Sequence, residues 1–417
     1  MKQERRSAWS RSFAGVVSVK RMPVVDCGRN KVAAAKAHLT RARIRAILVC
    51  AALAAACAQS EPTAPSRAFP WSVALPETHG NIVVDDSAYF VATSREHGLV
   101  SIDRATRRIR WHVLMDSGGS GGWLSAHIQL VKGVIVAIDY GLNGYDARTV
   151  ALKWRYFPTG EYGLGLGSAT DGETVFAPTY EGDVYAVDAQ TGAERWHVRV
   201  PNEPRRMFPA RPLFHAGTLY IAYRSDTSLV PGGGLIALDA STGMTRWRRD
   251  LDHRVPFAWA GSLMRAAIWS DFVYVSNEDG RIFALSQSDG SVRWIVDPLP
   301  EQNAYNDSRP LAVSGDLLIA GSSTGVLVAY GAVDGKLRWK RDLQRGTIIE
   351  ALVVAGDAVF ASDLSSGLTA VNAATGEIMW TRGVSASGYG TFNESPLVVG
   401  DTVIVPGFHG VQAFTVR

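Results

Sequence analysis

An eleven-residue signature, Ala-x-Asp-x-x-Thr-Gly-x-x-x-Trp, recurs along this 417-residue chain and limits what it can fold into. Its clearest copy, AVDAQTGAERW, runs from Ala186 to Trp196. ALDASTGMTRW ends at Trp247, ALSQSDGSVRW at Trp294, AYGAVDGKLRW at Trp339 and AVNAATGEIMW at Trp380. Two looser copies, SIDRATRRIRW and GYDARTVALKW, end at Trp111 and Trp154. The seven tryptophans fall 41 to 51 residues apart, so one supersecondary unit is repeated. A period in that range belongs to propellers and related repeat arrays.

Inside a unit the hydrophobic period is two. In GETVFAPTYEGDVYAVDAQTGAERWHVRV, Val175 and Phe176 open one apolar run, and Val184, Tyr185 and Val187 form a second. Trp196, Val198 and Val200 alternate in a third, and Gly or Asp punctuates the gaps. Short alternating runs between turn residues read as hairpin-joined strands. No stretch after residue 60 keeps a helical period, so the body is expected to be all-β. Four antiparallel strands in about 40 to 45 residues describe one propeller blade. The Asp is expected to hold turn amides and the Gly to take the positive φ of a tight turn. Trp is too large for one thin sheet and is expected to dock on the neighbouring blade. This assigns a structural, blade-docking role to Trp71, Trp111, Trp154, Trp196, Trp247, Trp294, Trp339 and Trp380.

The ends set the blade count. The last segment, PLVVGDTVIVPGFHGVQAFTV, supplies three runs and no Trp strand. FPWSVAL, with Trp71 placed 40 residues before Trp111, supplies the missing strand from the other end. The expectation is an eight-bladed β-propeller over residues 69–417, closed where the strand around Trp71 completes the C-terminal blade. A closed repeat can exceed the usual domain size because each blade packs mainly on its neighbours.

The first 57 residues read differently. Arg41, Arg43 and Arg45 precede an apolar stretch from Ala46 to Ala56 that ends in small residues at Cys57. A basic segment, a short apolar core and a small-residue cleavage point describe an export signal. LAAAC resembles a lipobox, with Ala54 where Leu is commonest, so Cys57 is the candidate lipidation site. Cleavage after Ala56 or Ala58 would instead release an unlipidated protein. The apolar core starts late, and Met22 is an alternative start. Residues 58–68 read as a polar, Pro-containing tether.

All three cysteines, at 27, 50 and 57, lie in this leader, so the propeller holds no disulfide or thiolate nucleophile. The leader also carries the basic charge: beyond residue 57 there are 31 Lys and Arg against 37 Asp and Glu. A mildly acidic body has no global electrostatic reason to bind nucleic acid.

These signatures resemble the quinoprotein-type (PQQ-like) β-propeller repeat over residues 69–417. Two branches of that superfamily matter: the BamB family of outer-membrane assembly lipoproteins, and the quinoprotein dehydrogenases. The first resemblance implies a non-catalytic, monomeric propeller that binds an envelope protein partner, held to the membrane through a lipid on Cys57. The second implies pyrroloquinoline quinone and calcium at the propeller axis. Against the second, the propeller lacks the Cys pair that many such enzymes carry. Its nearest candidate calcium group, Asn303, Asn306 and Asp307, also reads as a polar interblade loop. No quinone or metal is therefore expected, and no catalytic residue is assigned. The histidines show no metal-ligand spacing.

Aligning blades on their first turn gives one rim position per blade: Gly80, His127, Leu166, Arg211, Arg265, Arg309, Glu350 and Ser395. Arg211, Arg265 and Arg309 in consecutive blades, followed by Glu350, form a candidate binding rim for a carboxylate-bearing protein, acidic ligand or glycan. The alternative is that these arginines pair within the protein and simply satisfy the rim. Met207, Phe208, Phe257, Trp259, Tyr305, Tyr389 and Phe392 belong to the same rim; aromatics with Arg are typical of interaction hot spots, and the alternative is that these residues cover the top of the core.

Overall fold

The computed structural model describes residues 71–75, 78, 80–93, 98–115, 127–138, 141–158, 164, 167–179, 181–200, 207–209, 211–225, 232–251, 266–277, 280–298, 310–344, 348–363, 367–383, 396–407 and 410–416. They lie in the compact unit Arg67–Arg417. Among them there is no helix; the elements are strands arranged in eight antiparallel sheets. Seven sheets use strands consecutive in sequence. The eighth has the order Trp71–Ala74, Gly410–Thr415, Thr402–Gly407, Leu397–Val399, so the N-terminal strand completes the C-terminal blade. In blade 4 the innermost strand is split, and Met207–Pro209 and Leu213–His215 pair with the same edge of Thr218–Ser225.

Eight apolar clusters join the eight sheets pairwise. One packs Phe90 and Leu99 of blade 1 on Ile128 and Ile135 of blade 2, and the series continues around to Ile404 and Val411 of blade 8 on Tyr89 and Val91 of blade 1. As many junctions as sheets, with the last returning to the first, make a closed ring: an eight-bladed β-propeller. Closure is reinforced by buried Thr78, whose Oγ1 donates to the Gly407 carbonyl and accepts from the Gly407 amide at 3.1 Å.

Each letter of the signature has a local cause. The Trp on the outermost strand faces a small residue on the third strand, as in Ala186↔Trp196, Ala237↔Trp247 and Gly144↔Trp154. A larger side chain there would strike the indole: a Cβ on Gly144 would lie 2.2 Å from Trp154. The Asp folds the turn. Asp188 Oδ1 accepts from the Gln190 and Thr191 amides at 3.0 and 2.9 Å and from Thr191 Oγ1 at 2.9 Å. The Arg before the Trp bridges back to that Asp, at 2.7 Å for Arg110–Asp103, Arg195–Asp188 and Arg246–Asp239. These hydrogen bonds favour the ionised form and hold Asp188 down at about 2.

The Gly receives the preceding blade. Trp154 Nε1 donates to the Ala189 carbonyl at 3.1 Å, Trp196 to Ala240 at 3.0 Å and Trp247 to Gln287 at 2.8 Å. Trp294 and Trp339 do the same to Ala332 and Ala373. The indole then lies on the turn Gly, where a Cβ on Gly192 would come within 2.6 Å of Trp154 and φ is +76°. The three junctions from blade 7 round to blade 2 are built differently. Arg107 replaces Gly at φ 60° and stacks its guanidinium 4.8 Å over Trp71. Val150 replaces it at φ 59° in the turn of blade 2. Trp380 stacks on Phe414, with ring centroids 6.0 Å apart.

Candidate functional site

The two faces of the ring differ in how their strands are joined. On one, the turn face, the link from third to outermost strand is five residues in all seven blades that have it, from 104–108 to 373–377. On the other, the loop face, the connection from one blade to the next varies from 6 residues at 343–348 to 14 at 252–265. Uniform turns leave little room for specificity, whereas variable loops on a rigid scaffold are where recognition residues usually sit.

The innermost strands begin at the loop face, and the described rim residues lie there. His127 opens the innermost strand of blade 2 and is buried. Its Nδ1 lies 3.2 Å from Ser168 Oγ and accepts from the Ser168 amide at 3.4 Å. Because a backbone N–H points at Nδ1, the ring proton belongs on Nε2 and the imidazole is neutral. Burial, then the nearby Arg211 charge, holds the His127 pKa well below its ordinary value. Arg211, from blade 4, lies across Gly167 of blade 3, where a Cβ would come within 3.0 Å of its Cγ and Nε. Residues of blades 2, 3 and 4 thus meet at one point, with Arg211 as its cation.

Neighbouring innermost strands are also tied by side chains. Asn81 spans from blade 1 to both backbone groups of Ile128, at 2.8 Å each. Gln129 Nε2 donates to the Ser168 carbonyl at 2.9 Å. Glu350 is the extra residue of a β-bulge between Ile349 and Ala351, the device by which an edge re-aims a side chain. Arg211 and Glu350 both hold further partners within the protein.

Of the rim positions, Gly80, His127, Arg211 and Glu350 are described. Leu166, Arg265, Arg309 and Ser395 lie outside the described residues, as do Cys57, the side chains of Met207 and the six rim aromatics, and Asn303, Asn306 and Asp307. Ser168, Asn81 and Gln129 were not legible as a set beforehand. Single polar residues at or just before the innermost strands of three blades carry no common spacing, and only ring geometry brings them together. Among the described residues no three His, Cys, Asp or Glu side chains converge to hold a metal.

The fold and repeat define a PQQ-like eight-bladed propeller. The family model described as outer membrane protein assembly factor BamB matches residues 63–296 and 303–413, and the chain belongs to that family. The chain is 25% identical to outer membrane protein assembly factor BamB of Yersinia pestis over 195 residues, 45% of this chain and 46% of that protein. It is 29% identical to quinohemoprotein alcohol dehydrogenase ADH IIB of Pseudomonas putida over 155 residues, 35% of this chain and 21% of that enzyme. These matches span less than half of either relative's own length. The crystal structure of BamB from Moraxella catarrhalis superposes with a TM-score of 0.61 at 19% identity, covering 83% of this chain and 98% of that one. At that identity the likeness is one of fold.

Proposed function

We propose that this protein is a non-catalytic scaffold of the bacterial cell envelope that binds a protein partner through its loop face. The observation that carries this reading is the family match across nearly the whole propeller, and the contrast between uniform turns and variable loops supports it. In this reading residues 1–57 are an export leader, Cys57 carries the lipid, and 58–68 tether a monomeric propeller to the outer membrane's periplasmic face. Arg211, Arg265 and Arg309 contribute a basic side to the rim, opposed by Glu350, suited to a carboxylate-bearing segment of the partner. A role in outer-membrane protein assembly follows from what the family's name describes.

The test is crosslinking and co-purification from envelope membranes, with wild type beside the triple Arg211/Arg265/Arg309→Ala variant. A specific envelope protein recovered by wild type and reduced with the variant is expected. Recovery of no specific protein would sink the scaffold reading. Equal recovery by both would move the contact off the rim. A second reading rests on the similarity to the quinohemoprotein dehydrogenase. It requires added pyrroloquinoline quinone and Ca²⁺ to give a saturable absorbance change and dye reduction with alcohols. Retention on acidic polysaccharide, lost in the Arg variant, would instead mark a glycan-binding rim.

A further inference from the structure

The turn face carries one cavity whose lining departs from the repeat. It lies between blades 1 and 2, encloses about 370 Å³, and presents Arg110, Lys132, Arg148 and Lys153 beside Asp85 and Asp146. Two local changes gather these cations. First, the turn between the two innermost strands carries Asp or Glu in six of the eight blades, among them Asp171, Asp271, Asp316, Asp357 and Asp401; blade 2 has Lys132 instead. Second, the residue before the Trp is Arg in blades 1, 3 and 4, where its guanidinium reaches back to the turn Asp. In blade 2 this residue is Lys153, whose ammonium forms no ion pair with Asp146 or any other described residue. Arg148, where other blades have Ala, Gln, Ser or Val, likewise makes no side-chain hydrogen bond or ion pair among the described residues.

The two carboxylates are engaged by their own turns. Asp85 Oδ1 accepts from the Ser87 amide, Ser87 Oγ and the Ala88 amide at 2.7, 2.9 and 2.7 Å. Asp146 Oδ1 accepts from the Arg148 and Thr149 amides and Thr149 Oγ1 at 3.1, 2.8 and 2.8 Å. Arg110 pairs with Asp103 and Lys132 with Glu173, each at 2.7 Å. Two cations without a side-chain hydrogen bond or ion pair among the described residues, of which Arg148 lends its charge to Asp146 at longer range, and two that can share their charge therefore face a space large enough for a phosphoryl group and its substituent.

We propose that this blade 1–blade 2 cavity is a binding site for a phosphate-type dianion, with Arg148 and Lys153 as its principal contacts. A planar guanidinium and a mobile ammonium at one opening suit the tetrahedral oxygens of phosphate. The site is independent of the loop-face reading above, since it lies on the other face. The same chemistry serves free phosphate or a phosphorylated lipid headgroup.

The experiment is titration of the chain with inorganic phosphate by calorimetry at constant ionic strength, to about 10 mM. Wild type should bind saturably. Arg148→Ala/Lys153→Ala should weaken binding about tenfold or more, while Arg211→Ala should leave it unchanged. Lys153→Arg should weaken it less than the double variant, because the new guanidinium can turn back to Asp146. Both changed side chains are exposed, and a circular dichroism melt matching wild type shows the fold retained. No saturable binding by wild type, or equal binding by the double variant, overturns the proposal. Cosedimentation with phosphatidic acid vesicles, but not phosphatidylcholine ones, that the double variant loses identifies the headgroup as the source. Phosphate binding without cosedimentation identifies the free anion.

Discussion

The turn face and the loop face are made by the same strands, yet one is nearly identical from blade to blade and the other is not. On the turn face the five-residue links of blades 3 to 7 are docking parts: polar side chains such as Asp188 shape them, Gly takes the positive φ, and the preceding blade's Trp rests on them with a hydrogen bond to a link carbonyl. A change there is felt by two blades at once. On the loop face the connection needs only to span the gap between blades, and the entropy of a longer closure rises slowly with length. Stability is therefore concentrated on one face, which leaves the other able to vary for recognition.

The contrast can be broken most severely at the seam. A chain beginning at residue 76 lacks Trp71–Ala74, exposing the edge of Gly410–Thr415 and uncovering Val411 and Ala413. It should lose its cooperative unfolding transition in a urea titration; a sharp transition at the wild-type midpoint would mean that the strand is dispensable.

Next in size, Gly243→Val forces a branched side chain into φ +73° and within 2.7 Å of Trp196. This should destabilise by about 3 kcal/mol through backbone strain and overpacking. Inserting Gly-Ser after Gly119, in the connection between Ile109–Leu114 and His127–Val131, should cost less than about 0.5 kcal/mol. Equal losses in the two variants would erase the distinction between the faces.

His127 offers a smaller, pH-resolved effect. Its folded pKa is depressed, so the unfolded chain takes up the proton first as pH falls below about 6.5. Its contribution is intact above that pH and is lost below it, at up to about 1.4 kcal/mol per pH unit. His127→Gln should flatten the dependence of unfolding free energy between pH 6.5 and 5, and an unchanged slope would assign it to other groups. A gain is expected from Val150→Gly, which relieves a β-branched residue at φ 59°. It should raise stability by about 1 kcal/mol, measured by the same titration; a loss would show that the Val side chain makes a compensating contact.

Much of this was readable before any coordinates. The period, the Asp and Gly of the turn, and the lone Trp strand at residue 71 give the blade, the blade count and the closing strand, because each is a local rule repeated at a constant offset. The mouth was half legible. Aligning the blades brings out His127, Arg211 and Glu350 as equivalents, but not that His127 is buried and neutral, or that Ser168 is its partner. Those facts depend on contacts between strands about 40 residues apart. The basic cavity had a visible trace, a turn with Lys132 and no acid where most blades carry one, and Lys153 where other blades carry an Arg, yet only blade packing sets them around one opening.

What the sequence determined by itself is the blade and its repetition, because turn chemistry and a two-residue period act within a few residues of themselves. What only the tertiary structure decided is where charges and polar groups from different blades meet. Curvature and interblade packing set those distances, and no spacing along one strand encodes them.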